Sequence, residues 1–234
     1  MANTFLTNYS SFDKQYELLD QIEQSIHLHE MTPKTVETNP KKEVSKIFGY
    51  SLEKMHDNKE ISRIEKYYRS NINKSHACSH LKLKNVYKLS NDTATEIFVK
   101  KSQKLGNVKE LWHGTRIWNI LSILKSGLRV PTASQVMVGS MFSRGIYFSD
   151  QSSKAINYAW GYWDNKGRTN NCFAFIAGVT MGKEYIPSKP FNNGIPSGYD
   201  SCFAMAHRSG VQNNEMVVYD ESQVNLKYLC EFDG

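Results

Sequence analysis

The chain has 234 residues, of which 40% are hydrophobic and 12% aromatic, enough to bury one substantial core with a small helical appendage. Its net charge of +6 is spread evenly, and no block of like charge indicates a nucleic-acid groove. The four cysteines lie far apart, without the spacing of a zinc site. Neither a signal peptide nor an apolar run of about 20 residues is apparent. We therefore expect an intracellular protein, nuclear or cytoplasmic, with no membrane span and no metal.

The first 45 residues have a different pattern from the rest of the chain. Apolar residues recur at helical spacing in Asp13–Glu30, which predicts an amphipathic helix. Residues Met31–Lys42 contain two prolines and no periodicity, so they are expected to form a linker. We accordingly predict a helical segment and linker at residues 1–45 and one main domain at residues 46–234.

The main domain shows short helices interspersed with strands rather than regular βαβ units. The predicted helices are Glu60–Asn73, Thr93 to about Leu105 with Thr93 opening a capping box, Ile117 to Gly127, and Asp150–Trp160. The predicted strands are His80–Ser90 with a bulge, the apolar run before His113, Asn171–Thr180, Glu215–Asp220 and Leu226–Phe232. This order predicts an α+β fold with a largely antiparallel core. No Rossmann glycine fingerprint or phosphate-binding loop is present.

The stretch Leu111–Arg129 contains an abrupt change of pattern. An apolar run stops at His113 and Gly114, and a helical period follows. These two residues are therefore predicted at a strand-to-helix junction, where a glycine lets a ligand approach the backbone closely. Taken alone, His113 could equally cap a turn or pack beneath the helix.

Several short motifs follow one another along the second half of the chain. They are LWHGTR and GLR in the stretch above, then MFSRGIYFSD, SSKAINY and NNEMVVYDESQVNLKYL. Together they resemble the catalytic domain of the poly(ADP-ribose) polymerases, from about Tyr50 to the C-terminus. The resemblance implies an ADP-ribosyltransferase fold of two packed, mainly antiparallel sheets with short flanking helices. It also implies NAD as substrate and a signature triad of His113, Tyr147 and Glu215.

The resemblance assigns most of these residues to the binding of NAD. His113 would hydrogen-bond ribose hydroxyls, and Gly114 would hold the nicotinamide carboxamide through its backbone. Tyr147 and Tyr158 would lie on either side of the nicotinamide ring. Arg129 would contribute at the adenosine end of the substrate.

The resemblance gives Glu215 the central chemical role, with Lys154 beside it. Glu215 would bind the 2′-hydroxyl of the nicotinamide ribose and orient the acceptor hydroxyl. Cleavage of the bond to nicotinamide builds positive charge on the sugar, which a nearby carboxylate stabilises. The same carboxylate can serve as a general base. This chemistry needs neither a metal nor a covalent nucleophile.

The chain departs from the family pattern at three positions. Ala155 replaces a serine that contacts the carboxamide, so one hydrogen bond is expected to be missing unless Ser152 or Ser153 supplies it. Thr115 replaces a serine, which is a mild change. Asn213 replaces a residue that is often tyrosine in chain-forming members, which leaves the manner of holding acceptor sugars open.

The predicted function is transfer of ADP-ribose from NAD to protein acceptors, including the chain itself, with release of nicotinamide. Glu215 favours polymer formation, while Asn213 leaves mono-ADP-ribosylation open. Residues 1–45 could supply at most one helix of a regulatory domain, so we expect activity without DNA; neither DNA nor RNA is required, though either could bind. The alternatives are a module that binds NAD or ADP-ribose without turnover, and an NAD glycohydrolase or nucleic-acid modifier.

Overall fold

A computed structural model describes residues 48–132, 140–162 and 171–234. The predicted helix Asp13–Glu30 and the linker after it lie outside these residues, so the division at residue 45 stays a prediction. The described chain contains two sheets and four α-helices, which confirms the α+β prediction.

The first sheet has five antiparallel strands in the order β1-β2-β9-β5-β3. Its strands are β1 (Ser51–Lys54), β2 (Lys82–Ser90), β3 (Val108–Gly114), β5 (Asn171–Thr180) and β9 (Val224–Asp233). The predicted bulge in β2 is present, between Leu83 and Asn85, where the register against β9 shifts. Every residue of β5 from Ala174 to Thr180 is buried, because the strand pairs with β9 and β3 on its two edges and both of its faces are covered.

The second sheet has four strands in the order β4-β8-β7-β6. They are β4 (Ile146–Phe148), β6 (Glu184–Tyr185), β7 (Ser201–Ala204) and β8 (Glu215–Val218). All neighbours are antiparallel except β6 and β7. The sequence did not indicate β1, β6 or β7, which are each four residues or shorter and too brief to show a period.

The helices lie close to their predicted positions, with differences at their ends. They are α1 (Asn58–Ser70), α2 (Asp92–Leu105), α3 (Ile120–Ser126) and α4 (Ser152–Trp160), and a 3-10 turn at Ile117–Asn119 precedes α3. The cap of α2 is Asn91 rather than Thr93, because the Asn91 side chain accepts from the Ala94 backbone N–H. Gly127 ends α3 with a φ of 76°, as predicted.

The hydrophobic core lies in two main layers around the first sheet. One layer fills the space between the two sheets and includes Phe175 of β5, Phe148 of β4 and Val218 of β8, together with α3. The other layer, on the opposite face, contains Trp112 and Ile156 and packs the sheet against α1 and α4. Helix α4 is therefore fixed against β3 and β5, where it can place side chains beside the edge of β3.

Candidate active site

The two sheets meet at one point along strands β3 and β4 and then separate. The backbone groups of Trp112 and Ser149 exchange two hydrogen bonds of 2.9 Å. In a continuing antiparallel ladder, the next such pair would join Gly114 to Tyr147. Instead, the Tyr147 carbonyl accepts from His113 Nδ1 at 2.9 Å. Within the described residues, no protein group pairs with the Gly114 backbone on this side. Gly114 thus presents one donor and one acceptor to the cleft.

Gly114 occupies a position that no other residue could fill without a shift of the backbone. A Cβ atom built there would lie 1.6 Å from the carbonyl oxygen of Ala155 in α4. This close approach of β3 and α4 explains the glycine by geometry, because the neighbouring atom is backbone and cannot rotate away. The floor of the cleft is therefore bare backbone.

The hydrogen bond of His113 fixes which of its nitrogens carries the proton. Nδ1 must donate, since its partner is the Tyr147 carbonyl. Burial lowers the pKa of His113 below its ordinary value, although the carbonyl bond opposes this shift. The neutral ring then leaves Nε2 as an acceptor. Such a nitrogen can receive a hydrogen bond from a sugar hydroxyl.

Tyr147 presents its ring to the cleft because its hydroxyl group is held elsewhere. That hydroxyl accepts from the Phe142 backbone N–H at 2.9 Å and donates to the Ser143 carbonyl at 2.8 Å. Burial raises the pKa of Tyr147 above its ordinary value, so the phenol stays protonated. The ring is available for stacking, while the hydroxyl group is occupied by the loop before β4.

Lys154 and Tyr158 project from the same face of α4, because they are four residues apart. The Lys154 side chain is mostly buried, whereas Tyr158 is 38% exposed and borders the opening of the cleft. Burial raises the pKa of Tyr158, and the nearby charge of Glu215 raises it further. Helix α4 ends directly afterwards at Gly161, which adopts a left-handed conformation.

Glu215 begins β8 and is buried, with 8% of its surface exposed. Val217 pairs with Tyr147 across the strands, so Glu215, two residues earlier, lies on the same face of the second sheet as Tyr147. Its Oε1 atom accepts from Lys154 Nζ at 2.6 Å. Its Oε2 atom is buried and has no hydrogen-bond partner among the described residues. A buried carboxylate oxygen without a partner is costly, and a ligand hydroxyl would satisfy it.

The Lys154–Glu215 pair combines two opposing effects. Burial lowers the pKa of Lys154, and the carboxylate of Glu215 raises it through charge and a direct hydrogen bond. The contact with Glu215 therefore offsets part of the effect of burial on Lys154.

Comparison with known proteins identifies the family of the chain. The family model of the poly(ADP-ribose) polymerase catalytic domain matches residues 58–204, more than half of the chain. The chain belongs to this family. The matched range contains His113 and Tyr147, and Glu215 lies beyond it.

Curated members of the family are similar over about three quarters of the chain. A poly [ADP-ribose] polymerase of Drosophila melanogaster is 31% identical over 206 residues, covering 76% of this chain and 20% of the fly protein. Poly [ADP-ribose] polymerase 2 of Zea mays is 36% identical over 203 residues, which cover 74% of this chain and 30% of the maize protein. Protein mono-ADP-ribosyltransferase PARP4 of Mus musculus is 33% identical over 186 residues, which cover 74% of this chain and 9% of the mouse protein. The chain thus spans less than a third of the length of these relatives.

The poly(ADP-ribose) polymerase fold brings together six of the seven predicted site residues. They are His113, Gly114, Tyr147, Lys154, Tyr158 and Glu215. Arg129 is the exception, since it lies after α3 and pairs with Glu221 at 2.7 Å. Its side chain is 63% exposed, and Glu221, its ion-pair partner, lies outside the cluster. A role at the adenosine end of the substrate stays a prediction.

Ser152 and Ser153 do not replace the hydroxyl that is missing at Ala155. Both are fully buried, and they point away from the cleft. Ser152 donates to the Tyr68 carbonyl at 2.8 Å, and Ser153 accepts from the Asn73 backbone N–H at 2.8 Å. These bonds tie α4 to α1 and the loop after it, so the suggestion that either serine compensates for Ala155 is wrong.

Two residues of the site carried no recognisable signal in the sequence. Asn214 donates from Nδ2 to Asp150 Oδ2 at 2.7 Å, and its Oδ1 accepts from the Ala206 backbone N–H at 2.9 Å. The Asn214 backbone carbonyl accepts from Lys154 at 3.1 Å. Only the position of Asp150 and Asn214 at the edges of motifs could have suggested them.

The described residues show neither a metal-binding cluster nor a membrane-spanning helix. No group of three or more histidine, cysteine or acidic residues that could hold a metal occurs in ranges 48–132, 140–162 and 171–234. Over the same ranges, the helices are too short or too polar to cross a bilayer.

Proposed function

We propose that this protein transfers ADP-ribose from NAD to protein acceptors, including itself, and releases nicotinamide. The observation that carries the proposal is Glu215: a buried carboxylate with one oxygen held by Lys154 and the other without a partner among the residues that the structure describes. It lies in the electrostatic neighbourhood of Tyr147 and Tyr158, in a cleft whose backbone is open at Gly114.

The nicotinamide half of NAD fits the groups at the end of β3. The unpaired N–H and C=O of Gly114 match the carbonyl and amino groups of a carboxamide. The rings of Tyr147 and Tyr158 would cover the two faces of the pyridinium ring. His113 Nε2 would accept from a ribose hydroxyl. Together these contacts fix the position and rotation of the reacting bond.

Glu215 would stabilise the transition state of bond cleavage. When the bond between C1′ and the nicotinamide nitrogen breaks, its electron pair leaves with nicotinamide and positive charge develops on the ribose. The hydrogen bond from the 2′-hydroxyl to the carboxylate becomes stronger as that charge grows. Glu215 would therefore bind the transition state more tightly than the substrate. The acceptor oxygen then bonds to C1′, and its proton can pass to Glu215.

Lys154 would keep the Glu215 carboxylate correctly oriented. The 2.6 Å contact to Oε1 directs Oε2 away from the lysine and leaves it for the substrate.

We further propose that the enzyme can extend ADP-ribose into chains. Retention of Glu215 supports elongation, and relatives with polymerase names are similar to the chain. Mono-transfer is the second candidate, because Asn213 precedes the Asn-Glu pair and a relative named as a mono-ADP-ribosyltransferase is 33% identical. We also propose that DNA is not needed for activity, because the charge is spread evenly and no block of like charge indicates a nucleic-acid groove.

The test uses purified protein and NAD labelled in the adenylate part, with nicotinamide release followed in parallel. Wild type should release nicotinamide and give a labelled smear above its own band. Glu215→Gln should abolish the smear, and His113→Ala should weaken NAD binding. One sharp band would establish mono-transfer, release without label would establish a glycohydrolase, and binding without release would establish a non-catalytic module. Broken DNA that raised the rate many-fold would overturn the proposed independence from DNA.

A further inference from the structure

Asn214 stands out because every polar group of its side chain is engaged between two other chain segments. The amide nitrogen donates to Asp150, just after β4, and the amide oxygen accepts from Ala206, in the loop after β7. These two bonds, of 2.7 and 2.9 Å, hold the residue that immediately precedes Glu215. The side chain thus crosslinks the elements on both sides of β8.

The same residue also contacts the cation of the site through its backbone. Lys154 Nζ donates to the Asn214 carbonyl at 3.1 Å and to Glu215 Oε1 at 2.6 Å. Asp150 lies two residues before α4, which carries Lys154. A closed circuit therefore runs from Asp150 through α4 to Lys154, from Lys154 to the Asn214 carbonyl, and through the Asn214 side chain back to Asp150.

We infer that Asn214 is a positioning residue, which sets the orientation of Glu215 and Lys154 by bridging Asp150 and the Ala206 backbone. It acts through Glu215 and does not touch substrate. This inference rests on the proposed function, since it concerns the geometry of the same carboxylate. Small errors in the position of a reacting group can cost about 100-fold in rate, which gives such a bridge catalytic weight.

An asparagine suits the position because of the charges around it. Asp150 Oδ1 is buried without a partner among the described residues, so the Asn214 amide provides a key donor to that carboxylate. Three titratable residues lie near Lys154: Glu215 of β8, Asp150 just after β4 and His76 in the loop after α1. Asp150 also faces Tyr67 of α1, and Glu215 faces Tyr147 and Tyr158. A carboxylate at position 214 would add a third anion to this group.

The decisive variant is Asn214→Asp, which keeps shape and the acceptor for Ala206 but places two carboxylates in contact. We expect kcat for nicotinamide release to fall at least about tenfold at pH 8, with KM for NAD changed less than about threefold. Like charges raise the pKa of a carboxyl pair, so one proton is shared at lower pH. The ratio of variant to wild-type kcat should therefore rise between pH 8 and pH 5.5.

The exchanged pair Asp150→Asn with Asn214→Asp restores one amide and one carboxylate in reversed order. We expect it to recover kcat to within about threefold of wild type, which a loss of folding could not produce. Asp150→Asn alone keeps an acceptor for Asn214 and removes the charge. It should shift the alkaline limb of the pH–rate profile to lower pH, because Lys154 loses an anion that raises its pKa.

Asn85→Asp is the matched control. Asn85 also donates to a carboxylate, Glu231 Oε2 at 2.8 Å, but on β2 and β9 away from the cleft. Its kcat should equal that of wild type. The inference is overturned if Asn214→Asp is fully active at pH 8, or if the exchanged pair folds and stays inactive. Absence of nicotinamide release from wild type would instead overturn the proposed function, and the inference with it.

Discussion

Two glutamates near the two ends of strand β3 are in different states. At its beginning, the Glu110 side chain is 24% exposed, and both of its carboxylate oxygens are paired, with Arg63 at 2.7 Å and Lys227 at 3.4 Å. Near the Gly114 end, the Glu215 side chain of β8 is 11% exposed, and its Oε2 atom has no hydrogen-bond partner among the described residues. The ladder of β3 to β5 includes both Glu110 and Gly114, whereas the bridge of β3 to β4 is confined to Trp112 and Ser149.

The difference shows how one strand serves both stability and chemistry. At the end with Glu110, the paired charges are more exposed to solvent, and such ion pairs contribute little to stability. At the end with Glu215, the polar groups are buried, so a missing partner costs more free energy and a hydrogen bond to a ligand contributes more to binding. Substitutions at corresponding positions of the two ends should therefore have unequal effects.

The largest contrast is expected between the two glutamates. Glu215→Gln should lower kcat for nicotinamide release at least about 100-fold, because the charge that stabilises the transition state is removed. Glu110→Gln should leave kcat unchanged and lower the free energy of unfolding by less than about 1 kcal/mol. Steady-state kinetics and urea unfolding measure both. Equal losses of activity in the two variants would contradict the contrast.

The next largest contrast is expected between Gly114 of β3 and Gly178 of β5. Gly114→Ala places a Cβ against the Ala155 carbonyl and should weaken NAD binding at least about tenfold, since the backbone must move. Gly178→Ala is the control, because Gly178 pairs with Glu110 and its new Cβ would meet the flexible Lys227 side chain at 3.1 Å. Calorimetric titration with NAD should show near-normal affinity for Gly178→Ala.

The buried state of His113 predicts a pH dependence of stability. Its folded pKa is lowered, so the unfolded chain binds the proton more readily once the pH falls below about 6.5. This contribution to stability is complete above that pH and is lost progressively on acidification below it. Urea unfolding of His113→Gln should show a shallower loss over this interval. A parallel curve for variant and wild type would mean that His113 is not protonated differently on folding.

The smallest expected effect is a gain of affinity. Ala155→Ser adds a hydroxyl where the family usually has one, beside the carboxamide position at Gly114. One additional neutral hydrogen bond should tighten nicotinamide binding about two- to fivefold. Ala159→Ser, one turn further along α4, provides the control, because the resemblance assigns no ligand contact there. Unchanged affinity for Ala155→Ser would place the carboxamide elsewhere.

Much of the fold could be predicted because its longer elements have strong periodicity. The helices Asn58–Ser70 and Ser152–Trp160 and the strand Asn171–Thr180 all match predicted elements. The motifs also located six residues that the fold brings together in one cleft. What the sequence could not show is the partnering of polar groups across the fold.

Two features illustrate that limit. The Asp150–Asn214 contact joins residues 64 positions apart, and nothing in either local pattern indicates it. Similarly, Ser152 and Ser153 precede Ala155 by a few residues and seemed able to replace its lost hydroxyl, yet the rotation of α4 directs both towards α1. Helix rotation depends on tertiary packing, which single-sequence patterns do not fix.

The backbone of Gly114 also bears on which forms of the dinucleotide can enter. Its adjacent donor and acceptor require a ligand that both accepts and donates at one planar group, as a primary amide does. In the deamidated dinucleotide, that amide is a carboxylate, which has only lone pairs to set against the Gly114 carbonyl. Repulsion there and desolvation of the added charge would both oppose binding. The end of one sheet ladder would thereby let the protein distinguish NAD from its biosynthetic acid form by a single functional group.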